Sequence, residues 1–367
     1  MDDLTPCGHC GEVHEPESLT AFDGELLCED CLDTSTLTCS RCGDRIWETD
    51  NVGSMEHPLC EHCYDNFYCT CEECGRLLPV DDVYYEDGCD DAYCEACFRQ
   101  RESQIHLHDY SYKPDPLFYG EGSRFLGVEL EIDGGGRDSY NAEQLEEVGN
   151  RSASYLYIKS DGSLEDGLEI VTHPMTLSYH TSTMPWEKIL TKALELGYLS
   201  HKTSTCGLHV HVNRDSFGFS YEQQEECIAR VLFLVERFWQ ELITFSRRTE
   251  RSLQRWANRY GVKDSPGKVL DTAKKGYGGR YTCVNITNRD TIEFRIFRGT
   301  LRYSTLLATL QMVCHLCEMA ERMDDEELAS LSWPQFVGSI TTPELMAYLK
   351  ERRLYINEPV DAMEEEA

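Results

Sequence analysis

The sequence predicts an α+β domain built around an antiparallel sheet, preceded by three small four-cysteine modules. Three observations predict this. C-x-x-C pairs recur at one period through the first 97 residues, strand-like and helix-like segments then follow without strict alternation, and three strand-like segments carry charged groups at every second position. With 367 residues, 41% of them hydrophobic, the chain can bury one large core and a smaller one.

The modules come first. Cys7, Cys10, Cys28 and Cys31 are followed by Cys39, Cys42, Cys60 and Cys63, then by Cys71, Cys74, Cys94 and Cys97. Their first cysteines lie 32 residues apart, the internal gaps are 17, 17 and 19 residues, and both connections have seven, which marks an internal repeat. Fourteen of the nineteen cysteines fall here, and in a reducing compartment such pairs indicate zinc rather than disulfides. Each first pair continues into glycine (C-G-H-C-G, C-S-R-C-G, C-E-E-C-G), which permits the tight turn that aims backbone amides at thiolate sulfur. Each second pair leads into a helical turn. The modules resemble treble-clef zinc ribbons and the single fingers of LIM domains, although a LIM domain joins its fingers by a shorter connection. Four thiolates leave zinc no position for water, so the expectation is about three structural Zn2+ in modules 1–34, 35–66 and 67–102. Cys69 and Cys89 fall outside the repeat, and a slip in which Cys69 replaces Cys71 stays open.

Charge argues against the usual partner of zinc fingers. Residues 1–110 hold 5 Arg and no Lys against 27 Asp and Glu. Such a surface repels phosphate backbones, which argues against nucleic acid and for a protein or basic partner. No run approaches the roughly 18 apolar residues of a membrane span, and the first residues lack the basic and apolar regions of a signal peptide. The expected compartment is the cytoplasm.

Residues 103–121 contain two prolines and no helical period, so they read as a connector to a larger domain over 122–357, with an acidic tail at 358–367. Its elements follow in order. Phe125 to Asp133 is a strand, 133–139 a turn and Asn141 to Val148 a short helix. Two strands flank the loop around Asp161, and Trp186 to Gly197 is a helix with a glycine stop. Cys206 to Asn213 is a strand, and Tyr221 to Phe245 a long helix apolar on one side. Arg280 to Arg298 is a hairpin turning at N-R-D, and helices run from Tyr303 to Met323 and from Glu344 to Glu351. Gly261 to Val269 looks like a phosphate loop, but has five residues between its glycines, a proline, and no Ser or Thr after Lys268, so it is rejected. Cys314 and Cys317, inside an apolar helix, read as packing residues.

The charged strands carry the chemistry. Alternation puts Glu129 with Glu131, His209 with His211, and Glu293 with Arg295 on one face of each strand. Val128, Leu130 and Ile132, then Leu208, Val210 and Val212, then Ile292, Phe294 and Ile296 form the opposite, apolar faces. Laid side by side, the carboxylates repel one another unless a cation lies between them.

G-V-E-L-E, D-G-S-L-E-D-G-L-E-I-V-T-H-P, C-G-L-H-V-H-V-N, R-Y-T-C-V-N and I-E-F-R-I-F-R-G-T, in that order, resemble the amidoligases of the glutamine-synthetase-like carboxylate-amine ligase superfamily over about residues 122–325. The ordered set is specific although no single motif is. The resemblance implies a curved antiparallel sheet whose carboxylates hold Mg2+ or Mn2+, with ATP phosphorylating a substrate carboxylate that an amine donor then attacks. It implies metal ligation by Glu129, Glu131, Glu169, His209 and Glu293, with His211 nearer the phosphates and Arg295 on the transferring phosphoryl group. Arg280 and Arg298 are further phosphate candidates, and Lys159, Asp161 and Asn285 candidates for substrate or nucleotide positioning. Arg295 read as the salt-bridge partner of a glutamate, and Asp161 as a simple turn residue, are the duller alternatives. The zinc modules, outside the resemblance, fit recruitment of a protein substrate. Rival readings are an inactive ligase-like domain in a zinc-based interaction scaffold, and a hydrolase using His209 and His211 on a transition metal.

Overall fold

The computed structural model describes residues 4–85, 89–102, 105–276 and 279–355. The acidic tail at 358–367 lies outside the described residues, as do 103 and 104 of the connector and 277 and 278 of the glycine-rich stretch before Arg280. The chain divides into two compact units, Met1–Ile105 and His106–Ala367.

In the first unit each module begins on a two-stranded ladder: Thr5–Pro6 with Val13–His14, Thr36–Thr38 with Arg45–Trp47, and Tyr68–Thr70 with Leu77–Pro79. Gly11, Gly43 and Gly75 end the first C-x-x-C pairs at φ of 76°, 79° and 70°, a conformation only glycine adopts freely. Their amides close the turns on the carbonyls of Cys7, Cys39 and Cys71. Short helices at Glu29–Ser35, Glu61–Phe67 and Glu95–Glu102 start on the second pairs.

In the second unit seven strands among the described residues form one sheet. They are β1 (Leu107–His108), β2 (Leu126–Asp133), β3 (Leu156–Lys159), β4 (Gly167–Thr172), β5 (Gly207–Asn213), β6 (Val284–Asn285) and β7 (Thr291–Arg298). The order across the sheet is β1-β3-β4-β2-β5-β7-β6; β1 pairs with β3 in parallel and all other neighbours are antiparallel. The stretch read as a connector thus contributes the edge strand β1.

The helices are α1 (Ser139–Gly149), α2 (Leu177–Ser182), α3 (Trp186–Glu195), α4 (Tyr221–Arg237), α5 (Trp239–Ser246), α6 (Glu250–Trp256), α7 (Pro266–Lys274), α8 (Tyr303–Arg322), α9 (Asp325–Ser330), α10 (Trp333–Gly338) and α11 (Pro343–Glu351). The apolar strand faces join α3, α4 and α8 in one continuous core. The long helix expected over Tyr221 to Phe245 breaks at Phe238. Phe238 and Trp239, on either side of the break, are both buried. The rejected phosphate loop runs into α7, with Pro266 in its first turn. Cys314 and Cys317 are buried in α8.

Asp133 ties the end of β2 to the loop before β4. Its carboxylate accepts from the amides of Gly134 (2.9 Å), Glu165 (3.0 Å) and Asp166 (2.7 Å) and from Thr205 Oγ1 (2.7 Å). Burial opposes its ionisation, but these donors hold it below the usual carboxylate range. Asp133→Ala leaves four part-buried donors without this acceptor and is expected to cost about 1–3 kcal/mol, read as a lowered urea midpoint.

Candidate active site

Register brings the charged residues together. Glu131 stands opposite Glu169 across β2 and β4, and Glu129 opposite His209 across β2 and β5. His211 faces Glu293, Glu293 faces Asn285, and Glu169 faces Lys159. Opposed residues share a face, so all eight lie on one surface whose reverse is core.

The distances are short. His209 Nδ1 lies 3.3 Å from Glu129 Oε2 and 3.6 Å from Glu293 Oε1, and its Nε2 lies 4.0 Å from Glu131 Oε1. His211 Nε2 is 3.1 Å from Glu129 Oε1, and its Nδ1 is 3.1 Å from Thr291 Oγ1. One ligand atom each from Glu129, Glu169 and His209 fall within 4.8 Å of one another, close enough for a single cation. The Gly207 amide donates to Glu131, and Asn285 Nδ2 donates to Glu293 Oε2 at 2.9 Å.

The electrostatics favour a divalent cation. Burial works against ionised Glu129 and Glu293, yet His211 and His209 hold both below the usual carboxylate range. Burial would lower His211, but Glu129 raises it. Glu169 has no such help: burial, then Glu129 and Glu131, push it well above the carboxylate range, and Lys159 Nζ at 3.9 Å offsets this only in part. Oxygen-rich donors in negative excess fit a hard cation such as Mg2+ or Mn2+.

Arg295 lies on this surface by alternation, two residues after Glu293, and a β-bulge follows at that point. Val210 pairs with Phe294 and Leu208 with Phe297, so one residue of β5, His209, stands opposite two of β7, Arg295 and Ile296. Unbroken alternation would send Phe297 to the charged face and Arg298 to the core. The extra residue reverses this: Ile296 and Phe297 are both buried, and Arg298 pairs opposite Gly207 beside Glu131. Arg295 Nη1 contacts Glu293, as its salt-bridge alternative expects, while its buried Nε has no hydrogen-bond partner among the described residues.

The other candidates are placed less directly. Arg280 donates to Tyr110 and to the Tyr281 hydroxyl at 3.1 Å, and Tyr110 also covers Lys159 Nζ at 5.0 Å. Arg298 Nη1 reaches the Arg247 carbonyl at 3.4 Å. Asn285 is a support for Glu293, and its Oδ1 accepts from the Thr287 amide and hydroxyl. Asp161 accepts from the Ser163 amide at 2.6 Å and makes the local turn. Sequence reasoning missed Arg248, buried where α5 meets α6 and hydrogen-bonded to β7; the Arg247-Arg248 pair after an apolar helix was its one signal.

The cysteines form three groups separate from this surface: Cys7, Cys10, Cys28 and Cys31; Cys39, Cys42, Cys60 and Cys63; Cys71, Cys74, Cys94 and Cys97. Cys10–Cys28, Cys42–Cys60 and Cys74–Cys94 sulfurs lie 3.9, 3.9 and 3.8 Å apart. Tetrahedral zinc with Zn–S of about 2.3 Å puts sulfurs about 3.8 Å apart, so the donor sets fit it. The amides of Cys10 and Cys28 hold the Cys7 thiol down to about 6, and Cys39 and Cys71 are lowered alike against burial. The third group takes Cys71; Cys69 sits on the strand before it.

Residues 138–316 match the sequence profile of a family described as "Putative amidoligase enzyme". The match supports a ligase-type function; it includes Glu169, His209, His211, Glu293 and Arg295, and begins after Glu129 and Glu131. No curated protein matches the chain. Two structures of 3-hydroxy-3-methylglutaryl-CoA reductase from Streptococcus pneumoniae, one of them the class II enzyme with NADPH, show a partial likeness. The first is 11% identical over 66% of this chain and 66% of that one, the second 13% identical over 65% and 64%, both at a TM-score of 0.17. The chain spans just under two thirds of their length, and similarity this low carries no argument. No helix among the described residues is long and apolar enough to cross a membrane.

Gly207 sits tightly in the surface: a Cβ there would meet His209 Nε2 at 2.8 Å and Glu131 Oε2 at 3.3 Å. Gly207→Ala is therefore expected to destabilise the fold by about 1–3 kcal/mol in urea unfolding, as overpacking does.

Proposed function

We propose that the chain is an ATP-dependent carboxylate-amine ligase that forms an amide or isopeptide bond through an acyl phosphate, on a glutamine-synthetase-like sheet. One observation carries this reading: four carboxylates and two imidazoles converge by register on one sheet face, beside an arginine whose buried Nε has no hydrogen-bond partner among the described residues. Glu129, Glu131, Glu169, His209 and Glu293 would hold Mg2+ or Mn2+, which when bound neutralises phosphate charge. In the first step a substrate carboxylate oxygen attacks the terminal phosphorus of ATP and ADP leaves. In the second the amine attacks the acyl carbon, phosphate leaves, and the amine nitrogen gives up a proton. Arg295 is suited to meet the charge of the transferring group, and His211, held by Thr291 and Glu129, lies next to it on the sheet. No residue need become a covalent nucleophile.

The cysteine groups serve in this reading as structural zinc sites, and the acidic first unit recruits a protein substrate with basic character. Metal analysis should find about three zinc ions per chain.

Incubation with Mg-ATP and mixed carboxylates and amines should release ADP and phosphate. Glu131→Ala and Arg295→Ala should each slow turnover by about 100-fold or more. Absence of nucleotide binding by calorimetry, with the zinc sites filled, would overturn the ligase reading in favour of an inactive scaffold. Glu169→Gln removes a carboxyl whose ionisation burial, Glu129 and Glu131 oppose, so without added Mg2+ or Mn2+ it should raise the melting temperature by about 2–4 °C, while added Mn2+ stabilises the unsubstituted chain more than the variant.

A further inference from the structure

We propose that Arg248 is a positioning residue that holds the backbone of Arg295 through its carbonyl and sets the β7 bulge, which turns Arg298 to the charged face. Its side chain is buried, at 5% exposure. Arg247 ends α5 in the left-handed conformation, at φ 60°, which turns the chain so that Arg248 points under β7. Its Nη1 donates to the carbonyls of Arg295 and, at 3.4 Å, Phe297, and its Nε donates to Ser252 Oγ at 2.9 Å. Those two carbonyls flank Ile296, the extra residue of the bulge.

A bulge interrupts the ladder and leaves its extra residue unpaired, so its backbone needs donors from elsewhere. Nη1 serves both carbonyls while Nε holds Ser252, a division between two nitrogens of one rigid plane that the single ammonium of a lysine reproduces less well. Burial lowers Arg248 to about 10, with the Glu131 charge acting against that fall, so it stays protonated at neutral pH. Without this support the alternative is an unbulged strand in which Phe297 turns to the charged face and Arg298 to the core. Arg248 touches neither Glu293 nor the ring nitrogens of His209 or His211 in any hydrogen bond among the described residues; it acts through backbone.

The functional part of this inference rests on the ligase reading, because Arg295 is assigned there to the terminal phosphate. The test compares binding of Mg-ADP and of a Mg-bound non-hydrolysable ATP analogue to the full chain by calorimetry. The unsubstituted chain should prefer the triphosphate; Arg248→Met should reduce that preference by about tenfold with ADP binding little changed, and Arg248→Lys should restore part of it. Equal losses for both nucleotides, or no change, would overturn the positioning role, since a purely structural residue would not single out the terminal phosphate. If the unsubstituted chain binds neither nucleotide, the ligase reading itself fails. The bulge is then judged from a crystal structure of Arg248→Met: a β7 register that still pairs Leu208 with Phe297 and Val210 with Phe294 overturns the inference, and a shifted register supports it.

Discussion

The pairing register of β2 with its two neighbours is the constraint on which the rest depends. Glu131 opposite Glu169 and Glu129 opposite His209 follow from a single alignment of backbone hydrogen bonds. A slip of one residue would turn Val128, Leu130 and Ile132 to the charged face and drive the glutamates into the core. Burying an unpaired carboxylate there costs several kcal/mol, and exposing three branched side chains forfeits about 2 kcal/mol each. The apolar residues on one side therefore guard the placement of the charged ones on the other. Asp133 strengthens this by pinning the end of β2 to the loop that leads into β4.

The same face is balanced unevenly. Glu129 and Glu293 lie against imidazoles, and Glu293 has an arginine and an asparagine besides, so these carboxylates are compensated within the fold. Glu169 is met only by Lys159 at 3.9 Å while two other glutamates crowd it. The uncompensated charge is thus concentrated toward the β4 side of the surface. A cation bridging Glu129, Glu169 and His209 would relieve the unfavourable term where it is largest, which is a stronger argument than the number of acidic residues.

Much of this was legible because period and residue type agreed. The charged strands, the C-x-x-C repeat and the helices at Trp186 and Tyr303 appear in the structure close to their expected limits. What was hidden depends on long-range geometry. The bulge in β7 cannot be read from T-I-E-F-R-I-F-R, where simple alternation fits as far as Ile296 and only the adjacent Phe297 conflicts with it. Arg248 lies 47 residues from the Arg295 carbonyl it serves, and the Arg247-Arg248 pair after an apolar helix was its one local mark. The short helices α9 and α10 are different: Asp324 with Glu327, and Ser332 with Gln335, are capping boxes that could have been recognised.

Soft four-cysteine groups and an oxygen-rich surface within one chain, if each holds the ion proposed for it, raise the question of how each would avoid the wrong one. Sulfurs at about 3.8 Å spacing, with amides lowering the proton affinity of Cys7, Cys39 and Cys71, form a closed soft set that a small hard ion such as Mg2+ cannot satisfy, because it keeps its waters and seeks oxygen. The reverse exchange is the more dangerous one. Zinc outcompetes Mg2+ and Mn2+ for almost any site that includes histidine, and His209 sits among the carboxylates. Selection at that surface must therefore come from coordination number and metal supply more than from intrinsic affinity. Carboxylates spread over three strands offer more oxygens than tetrahedral zinc uses, and closed four-thiolate sites bind zinc far more tightly than they do.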